Sequence, residues 1–237
     1  MGGLTGWTSG TTHIENCEIA VTLYSDVVGD GTHGGIMGVN SSADVVIDNC
    51  LVNCTFIGEN THSVGGVCGW ADGNFTLKNS LILSQYNLAP EPTSYPSDIV
   101  SRNKVNLSNV YYAERSFIVG ANVRGTKVTD EQLASGEICY KLNGDQPTMS
   151  WYQTLGKDEH PMLFGNSKQV FYDVIRGYYN EGLTGDLNND GKVDIADAVT
   201  VLNIMAAGTN NSDADLNGDG KIDIADFVTV LNIMAAQ

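Results

Sequence analysis

The sequence predicts a multidomain protein that begins with stacked β-coils, continues with a small α+β module and ends in an all-α module. Three observations predict this order. A glycine-rich unit recurs within residues 1–112, its period is lost in residues 113–182, and residues 183–237 contain two nearly identical stretches with a helical apolar pattern. With 237 residues, 42% of them hydrophobic, the chain can bury a core in more than one module.

The first module is predicted from the repeat. Units open with "GGLTG" at residue 2, "GGIMG" at 34 and "GGVCG" at 65, so they start 32 and then 31 residues apart. Each continues through a polar turn into an alternating apolar stretch that closes on Asn-Cys or Asn-Ser, which is typical of strand, turn and strand. One unit has too little apolar surface to fold alone, so the fixed period predicts stacked coils. A fourth copy, "SDIVSRNKVNLSNV" at 97–110, replaces glycine with serine and would form the last coil.

Stacking these units in register would place one asparagine of each coil above the next. We expect an amide ladder there that satisfies polar groups between coils. Cys17 and Cys50 would lie side by side, but a disulfide needs particular geometry, so we expect free thiols. The asparagines of the predicted ladder are Asn16, Asn49, Asn79 and Asn109.

The G-G-apolar-x-G element resembles the GLUG repeat of bacterial surface proteins, which are typically adhesins. The resemblance covers about the first hundred residues and implies a right-handed parallel β-helix or a similar β-solenoid. The following segment, "VTDEQLASGEICYKLNG" with "WYQTLGKDEHPML", is similar to a module that often follows such repeats in surface proteins of gut Bacteroidetes. That second resemblance implies no chemistry.

Within the α+β module, helix signals precede strand signals. Thr129 and Gln132 have the spacing of a capping box, and Gly144 is a stop signal. Gly136 weakens the middle, so one broken helix or two short ones are expected. The stretches "SWYQTLG", "HPMLFG" and "KQVFYDVI" predict short strands with aromatic faces. The adjacent acids and histidine at 158–160 favour a solvated turn, because neighbours on a strand point to opposite faces.

The last module contains two loops of the same twelve-position pattern, with 19 identities over 22 residues. Oxygen-bearing side chains fall at positions 1, 3, 5, 9 and 12, a lysine at position 7 offers its carbonyl, and Gly191 or Gly220 at position 6 allows a sharp turn. Such a ring of oxygens fits Ca²⁺ before Mg²⁺. The predicted ligands are Asp186, Asn188, Asp190, Lys192, Asp194 and Asp197 in the first loop, and Asp215, Asn217, Asp219, Lys221, Asp223 and Asp226 in the second.

Two departures from an EF-hand are informative. Position 12 is Asp instead of Glu, and "NEGLTG" ahead of Asp186 cannot form an entering helix. A calcium loop with only its exiting helix, duplicated over 183–237, resembles the type I dockerin module. That resemblance implies two Ca²⁺ ions and docking onto a cohesin-domain protein in a cellulosome-like assembly. It also implies partner contacts at loop positions 10 and 11, which are Ile195, Ala196, Ile224 and Ala225.

Charge limits the classes of partner. The net charge of −16 argues against nucleic acid, because little in the chain could displace counterions from phosphates. No run approaches the roughly 20 apolar residues of a membrane span. Met1 is followed by "GGLTGW" rather than a basic and apolar leader, so the start looks like the inside of a longer gene product. The dockerin resemblance implies that the protein is secreted or lies on the cell surface.

Three function classes follow. The first is a non-catalytic surface protein whose solenoid serves for adhesion or display. The second is a fragment of a dockerin-tethered polysaccharide-degrading enzyme, a β-helix lyase or a glycoside hydrolase. It would need converging carboxylates or an arginine base, for which Asp44, Asp48 and Arg102 are the nearest candidates. The third is an adhesin that binds glycans or a host surface through solenoid aromatics such as Trp7, Trp70 and Tyr86.

Overall fold

The computed structural model describes residues 1–116, 121–164, 167–180, 184–188, 190, 192–209 and 211–236. The chain divides into two compact units, Met1–Asn180 and Glu181–Gln237, each of which is taken separately below. Leu183, the predicted start of the last module, and Gly191, the predicted turn of the first loop, lie outside the described residues.

The first unit contains a β-solenoid of about four turns, in which every strand pairs in parallel with its counterpart in the next repeat. The strands are β1 Thr5–Thr8, β2 Thr11–Ile19, β3 Thr22–Tyr24, β4 Gly29–Asp30, β5 Met37–Asn40, β6 Asp44–Val52, β7 Thr55–Gly58, β8 Thr61–His62, β9 Cys68–Ala71, β10 Asn74–Ile82, β11 Gln85–Leu88, β12 Asn106–Ala113 and β13 Thr126–Val128. Their orders in the sheets are β1-β5-β9, β13-β12-β10-β6-β2, β11-β7-β3 and β4-β8, which confirms the stacked coils expected from the period.

The fourth coil enters the stack one residue later than the sequence predicted. Gly2, Gly34 and Gly65 stand above one another, and the residue that continues this column is Asp98, not Ser97. Ser97 belongs to the preceding turn, where its Oγ accepts the Val64 N–H at 2.8 Å. The shift means that a buried carboxylate replaces glycine in the last coil.

The four predicted ladder asparagines have the same backbone conformation, but their side chains do not form an unbroken amide ladder. Their φ angles are 52°, 49°, 47° and 56°, the left-handed region that asparagine tolerates better than most residues. Among these four asparagines one direct amide pair forms, in which Asn109 Nδ2 donates to Asn79 Oδ1 at 3.0 Å. Asn79 Nδ2 donates to Asp48 Oδ1 at 2.9 Å instead of to another asparagine. The continuous ladder was therefore a wrong prediction, and asparagine is favoured because the strand bends at this position.

The bend separates two cores. Before Asn49, β6 alternates so that Val45 and Ile47 point into the solenoid. Beyond the bend every residue of β6 is buried, and Leu51 joins a second cluster outside the coil while Val52 stays inside. Burial of each such side chain stabilises the fold by about 1.5 to 3 kcal/mol.

The α+β module begins with two short helices, α1 Asp130–Ala134 and α2 Glu137–Asn143. Thr129 and Gln132 form the predicted capping box, and Gly136 breaks the helix with φ 87°, so both predictions are confirmed. An antiparallel hairpin follows, formed by β14 Val170–Asp173 and β15 Gly177–Asn180.

The other two predicted strands of this module do not form. "SWYQTLG" and "HPMLFG" meet in a single antiparallel bridge, between Tyr152 and Met162. The flanking Trp151 and Leu163 are buried in the second core instead of lying in a sheet. The turn lies at 155–157, just before the predicted 158–160, where the chain bends, and the Asp158 carboxylate accepts the Thr154 N–H at 2.6 Å.

The α+β module packs against the asparagine bends of the solenoid. Trp151 Nε1 donates to Asn49 Oδ1 at 3.2 Å and to the Asn79 carbonyl at 3.1 Å, and Gln146 exchanges two hydrogen bonds with the Asn49 amide. Asn109 Nδ2 donates to two carbonyls at the end of α2. The predicted boundary between 112 and 113 thus lies within one compact unit.

The second unit pairs two helices, α3 Ile195–Ala207 and α4 Ile224–Ala235, with a 3-10 turn at Ser212–Ala214. Its core consists of Val193, Ala198, Val201 and Val230, and Ile222 packs against it. Position 8 of both loops therefore contributes to one cluster. None of the helices among the described residues is both long enough and apolar enough to cross a bilayer.

Candidate functional site

The first loop of the second unit turns its side-chain oxygens onto its own backbone. Asp186 Oδ1 and Asn188 Oδ1 both accept the Asp190 N–H, at 3.1 and 2.8 Å. Asp190 Oδ1 in turn accepts the Lys192 N–H at 3.0 Å. Positions 1, 3 and 5 are thus directed toward the same short stretch of chain, as a ring around one ion requires.

The second loop repeats this arrangement. Asp215 Oδ1 accepts the Asp219 N–H at 3.1 Å, Asn217 Oδ1 accepts the same N–H at 2.9 Å, and Asp219 Oδ1 accepts the Lys221 N–H at 2.9 Å. Gly220 has φ 83°, so position 6 makes the sharp left-handed turn that the sequence predicted. The backbone N–H of Gly220 also donates to Asp215 Oδ2 at 2.8 Å.

Position 12 of each loop fastens the loop to its helix. Asp197 is fully buried; its Oδ1 accepts the backbone N–H groups of Leu187 at 2.8 Å and Asn188 at 3.1 Å, and its Oδ2 accepts that of Asp194 at 2.8 Å. Asp226 makes the same three bonds in the second half. The sequence reasoning treated these two residues only as ligands and missed this role.

The pKa of Asp226 reflects these bonds. Burial alone would raise the pKa of its carboxyl, but N–H donation from Asp223, Asn217 and Leu216 outweighs burial, and the pKa lies below its usual value. Backbone donors stabilise the ionised form because they point partial positive charge at it.

Position 9 of each loop is the N-cap of the helix that follows. Asp194 Oδ1 accepts the Ala196 N–H and Asp223 Oδ1 accepts the Ala225 N–H, both at 2.8 Å. Capping boxes are complete on both helices, since the position-12 carboxylate reaches back to the N-cap N–H. An N-cap of this kind stabilises a helix by about 1 kcal/mol.

The donor set of each loop fits a hard cation. Every predicted side-chain ligand is an oxygen donor, and each loop has four carboxylates against one lysine, so its charge is negative. Among the described residues no three acidic, histidine or cysteine side chains are gathered as a ready metal cage, because the carboxylates bond to backbone N–H groups instead. Positions 1, 3 and 5 of each loop direct oxygens to the turn, whereas positions 9 and 12 bond to backbone N–H groups at the helix start and the loop start.

Comparison with known proteins agrees with this geometry. Residues 184–234 match the family model of the dockerin type I domain. A dockerin domain binds calcium, implies binding to a cohesin and a role in an extracellular assembly, and is typical of proteins that are extracellular or on the cell surface. No curated protein and no solved structure matches the chain. The matched residues are called the dockerin segment below.

Both helices of the dockerin segment expose an apolar stripe of the same composition. Its members recur at i, i+4 and i+7, which places them on one helix face, and each is 36% to 60% exposed. The stripes are Ile195, Val199 and Leu202 on α3, and Ile224, Val228 and Leu231 on α4. The predicted contact residues Ile195, Ala196, Ile224 and Ala225 are all exposed.

Sequence reasoning missed the lower half of each stripe. The predicted contacts stopped at loop positions 10 and 11, whereas exposed apolar residues continue along each helix. Val201 and Val230 are buried in the shared core, but the valine two positions earlier and the leucine one position later point away from it. The identical apolar periodicity in both halves was the signal that could have found them.

The solenoid aromatics are less available than the sequence suggested. Trp7 and Trp70 do occupy the same position in coils one and three, and Trp7 is 65% exposed. The Trp70 ring, however, is covered by the Arg102 guanidinium at 5.2 Å and by Tyr95 at 5.9 Å. Tyr86 packs on the solenoid core against Phe56 with its hydroxyl buried, so it is not available as a surface aromatic for the adhesin class.

The predicted catalytic candidates of the solenoid are engaged in pairing. Asp48 binds Lys78 Nζ at 2.9 Å, and Asp44 accepts a hydrogen bond from Asn74 at 2.6 Å. Arg102 is buried and forms a bidentate pair with Asp30, at 2.7 and 2.9 Å. An arginine held in this way links coils of the stack.

Proposed function

We propose that the dockerin segment, loaded with two Ca²⁺ ions, docks onto a cohesin-type partner through the apolar stripe of α3 or of α4. The solenoid then serves as the adhesion or display module of a non-catalytic protein that is secreted or held at the cell surface. The observation that carries the proposal is the pair of matching exposed stripes, which an isolated two-helix fold has no reason to keep apolar.

Calcium and the stripe are coupled through the loops. Asp186, Asn188, Asp190, Asp194 and Asp197, with the Lys192 carbonyl, would hold the first ion, and their counterparts from Asp215 to Asp226 the second. A bound Ca²⁺ neutralises the repelling carboxylates of its loop and fixes the loop against the helix start. The two stripes begin at Ile195 and Ile224, directly after the N-caps. A loop that is held in one conformation by its ion therefore also fixes the conformation of the contact surface that follows it.

The duplication supports two equivalent modes of docking. Ile195 with Ala196 and Ile224 with Ala225 stand at the same positions of two nearly identical halves. A half-turn of the module would present the second pair where the first had been. The pairs are apolar, so the interface would depend more on packing than on hydrogen bonds.

The test is binding to cohesin domains in calcium buffer, measured by calorimetry on the full chain. We expect Ile195→Asp and Ile224→Asp each to retain nearly the affinity of the native chain, and the double variant to lose binding. Val174→Asp is the matched control, because Val174 is an exposed apolar residue outside the dockerin segment. Loss of binding with either single variant would contradict the two-mode proposal, and undiminished binding by the double variant would contradict the stripe.

Chelation tests the calcium part independently. Removal of the ion should reduce the helical signal of the dockerin segment and abolish binding, because metal binding to such loops is folding free energy. A chelated protein that keeps its helicity and its affinity would refute this part.

One observation favours the enzyme alternative. Glu15 and Asp48 are register partners on adjacent strands of the longest sheet, and His13 Nε2 lies 3.6 Å from Glu15 Oε2. Glycosidic bond cleavage uses such pairs of carboxyl groups. Asp48 is paired with Lys78 and largely buried, whereas Glu15 is more than half exposed, so Glu15 is the residue of this pair to replace. Turnover of acidic polysaccharides that Glu15→Gln removes would support this alternative against the non-catalytic proposal.

The adhesion role rests on exposed aromatics of the solenoid, such as Trp7. A glycan array probed with the full chain in chelator isolates the solenoid from dockerin binding. Calcium-independent capture that Trp7→Ala weakens would support an adhesin. If Trp7→Ala captures as much glycan as the original chain, the glycan binds at a surface that does not include Trp7.

A further inference from the structure

A polar cleft lies where the third and fourth coils turn into their long strands, β10 and β12. Its volume is about 420 Å³, within the roughly 300 to 1,000 Å³ that is typical of sites for small ligands. Its lining contains cations and amides, and no carboxylate is among the described residues that line it. The polar residues of the lining are Asn74, Asn103, Lys104, Asn106 and Arg124.

Lys104 is the cation of the described solenoid that forms no ion pair with a carboxylate. The residue is exposed, and its Nζ donates to the backbone carbonyl of Asp72 at 2.9 Å. Within residues 1–116 and 121–128, every other lysine and arginine lies 2.7 to 3.1 Å from a carboxylate, and these are Lys78, Arg102, Arg115, Arg124 and Lys127. The chain has 28 acidic against 12 basic side chains, so a lysine in a cleft without an acidic partner leaves a place for an external anion.

Arg124 is held in place before any ligand arrives. Its Nε lies 3.1 Å from a carboxylate oxygen of the fully buried Asp98, and its Nη1 donates to the carbonyls of Ser101 and Asn103 at 3.0 and 2.6 Å. Within the described residues its Nη2 makes no hydrogen bond, and the side chain is 32% exposed. Because the guanidinium is already oriented, a ligand that accepts from Nη2 would cost little additional side-chain entropy.

The amides of the cleft keep hydrogen-bonding capacity for a neutral, hydroxyl-rich group. Asn103 Nδ2 donates to Asp72 Oδ1 at 3.2 Å and Asn74 Nδ2 donates to Asp44 Oδ1 at 2.6 Å, which leaves both amide oxygens as acceptors. The exposed Asn106 amide makes no side-chain hydrogen bond within the part of the chain that the structure describes. Sugar hydroxyls both donate and accept, so they match amides of this kind.

The acidic residues around the cleft do not exclude an anion from it. The Asp72 carboxylate accepts from Trp70 Nε1 at 2.9 Å as well as from Asn103, and the Asp98 carboxylate is fully buried. At physiological ionic strength, exposed charges more than about 8 Å apart are largely screened. The cations that touch a ligand therefore matter more than the net charge of −16.

We propose that this cleft binds an acidic glycan, whose carboxylate or sulfate ester contacts Lys104 and Arg124 Nη2 while its hydroxyls contact the three amides. The proposal rests on the adhesion role proposed above, to which it gives a class of ligand and a surface that does not include Trp7. A neutral glycan fits less well, because it would leave the positive charge of Lys104 without a partner.

Calorimetry on the full chain tests the proposal, with chelator present so that no Ca²⁺ in the dockerin loops can bridge to an acidic sugar. The probes are trigalacturonate and sulfated galactotriose, each compared with an uncharged match, the methyl ester for the first and galactotriose for the second. We expect at least one acidic probe to bind roughly tenfold more tightly than its match. The probe that does so distinguishes a carboxylate from a sulfate ester.

Two substitutions locate the site. Lys104→Gln should weaken binding of the acidic probe roughly tenfold, and Asn106→Asp should weaken it as well, because it adds a carboxylate at an exposed amide of the cleft. Both variants should keep the melting temperature of the original chain. Lys157→Gln is the matched control, since Lys157 is an exposed lysine outside the cleft and the change in net charge is the same. Arg124 is left in place, because its replacement would release two carbonyls and so would test the fold.

Several results would overturn the proposal. Binding of an acidic probe that Lys104→Gln leaves unchanged, or that Lys157→Gln weakens as much, would overturn the site. Equal affinity for both acidic probes and their uncharged matches would overturn the class of ligand.

The adhesion role can be separated from this site by the glycan array. A chain that captures neutral glycans but neither acidic probe would contradict the acidic ligand alone and leave the adhesion role supported. A chain that captures no glycan at all would contradict the adhesion role, and the proposed site would fail with it.

Discussion

Replacement of Trp151 tests whether the solenoid and the α+β module fold as one unit. The Trp151 side chain is fully buried, and its Nε1 hydrogen is shared between Asn49 Oδ1 and the Asn79 carbonyl. Trp151→Phe removes the donor and leaves the buried Asn49 Oδ1 and the half-buried Asn79 carbonyl without this partner, at a cost of about 1 to 3 kcal/mol. Trp151→Ala adds a large cavity, so its total cost should reach about 3 to 5 kcal/mol.

The assay is urea unfolding of the full chain in chelator, followed by circular dichroism in the strand region. We expect both variants to lower the midpoint of one cooperative transition that includes the solenoid. Trp7→Phe is the control, since Trp7 is 65% exposed and a surface change of this kind should stay within about 0.5 kcal/mol. A Trp151→Ala protein whose solenoid unfolds at the native midpoint, with only helical signal lost earlier, would refute the shared unit.

Burial raises the pKa of Asp98 to about 6, beside Arg124, so its contribution to stability is present below the unfolded pKa near 4 and is lost as the pH rises through about 6. Asp98→Asn should remove roughly 2 kcal/mol of the difference in unfolding free energy between pH 4 and pH 7, measured by thermal melts, and an unchanged difference would contradict this. Asp197→Ala should destabilise the dockerin segment by about 1 to 3 kcal/mol even in chelator, because three backbone N–H groups lose their acceptor. Asn188→Ala should lower the stability mainly when calcium is present, and thermal melts of both variants with and without chelator test this difference. Gly136→Ala should lower the melting temperature, since φ 87° strains alanine and its Cβ would press on the Leu155 side chain at 2.8 Å; a rise in melting temperature would show that the helix break is dispensable.

Features encoded by local spacing could be predicted from the sequence. The repeat period led to the stacked coils, the Thr129 and Gln132 spacing to a capping box, and Gly136 to a helix break. The calcium loops and the dockerin resemblance also follow a local pattern, and the family match covers them. In each case the physical cause lies within one coil, one turn or one loop.

Features that depend on distant partners could not be predicted in this way. Trp151 and Asn49 are separated by 102 residues, and neither position carries a local signal for the other. The shift from Ser97 to Asp98 depends on how the long turn before it closes, which the spacing of glycines cannot show. The lower half of each stripe, a valine and a leucine, could be identified only once the residues in the shared core of α3 and α4 were known.

The connection between Trp151, Gln146 and the asparagine bends has a mechanical consequence. A protein docked through its C-terminal segment transmits any external pull into the solenoid through residues that precede the dockerin segment. The force would reach the α+β module first, and this module grips the second, third and fourth coils through Asn49, Asn79 and Asn109. Tension that reaches this module would therefore be passed to three coils at once and not to the last coil alone.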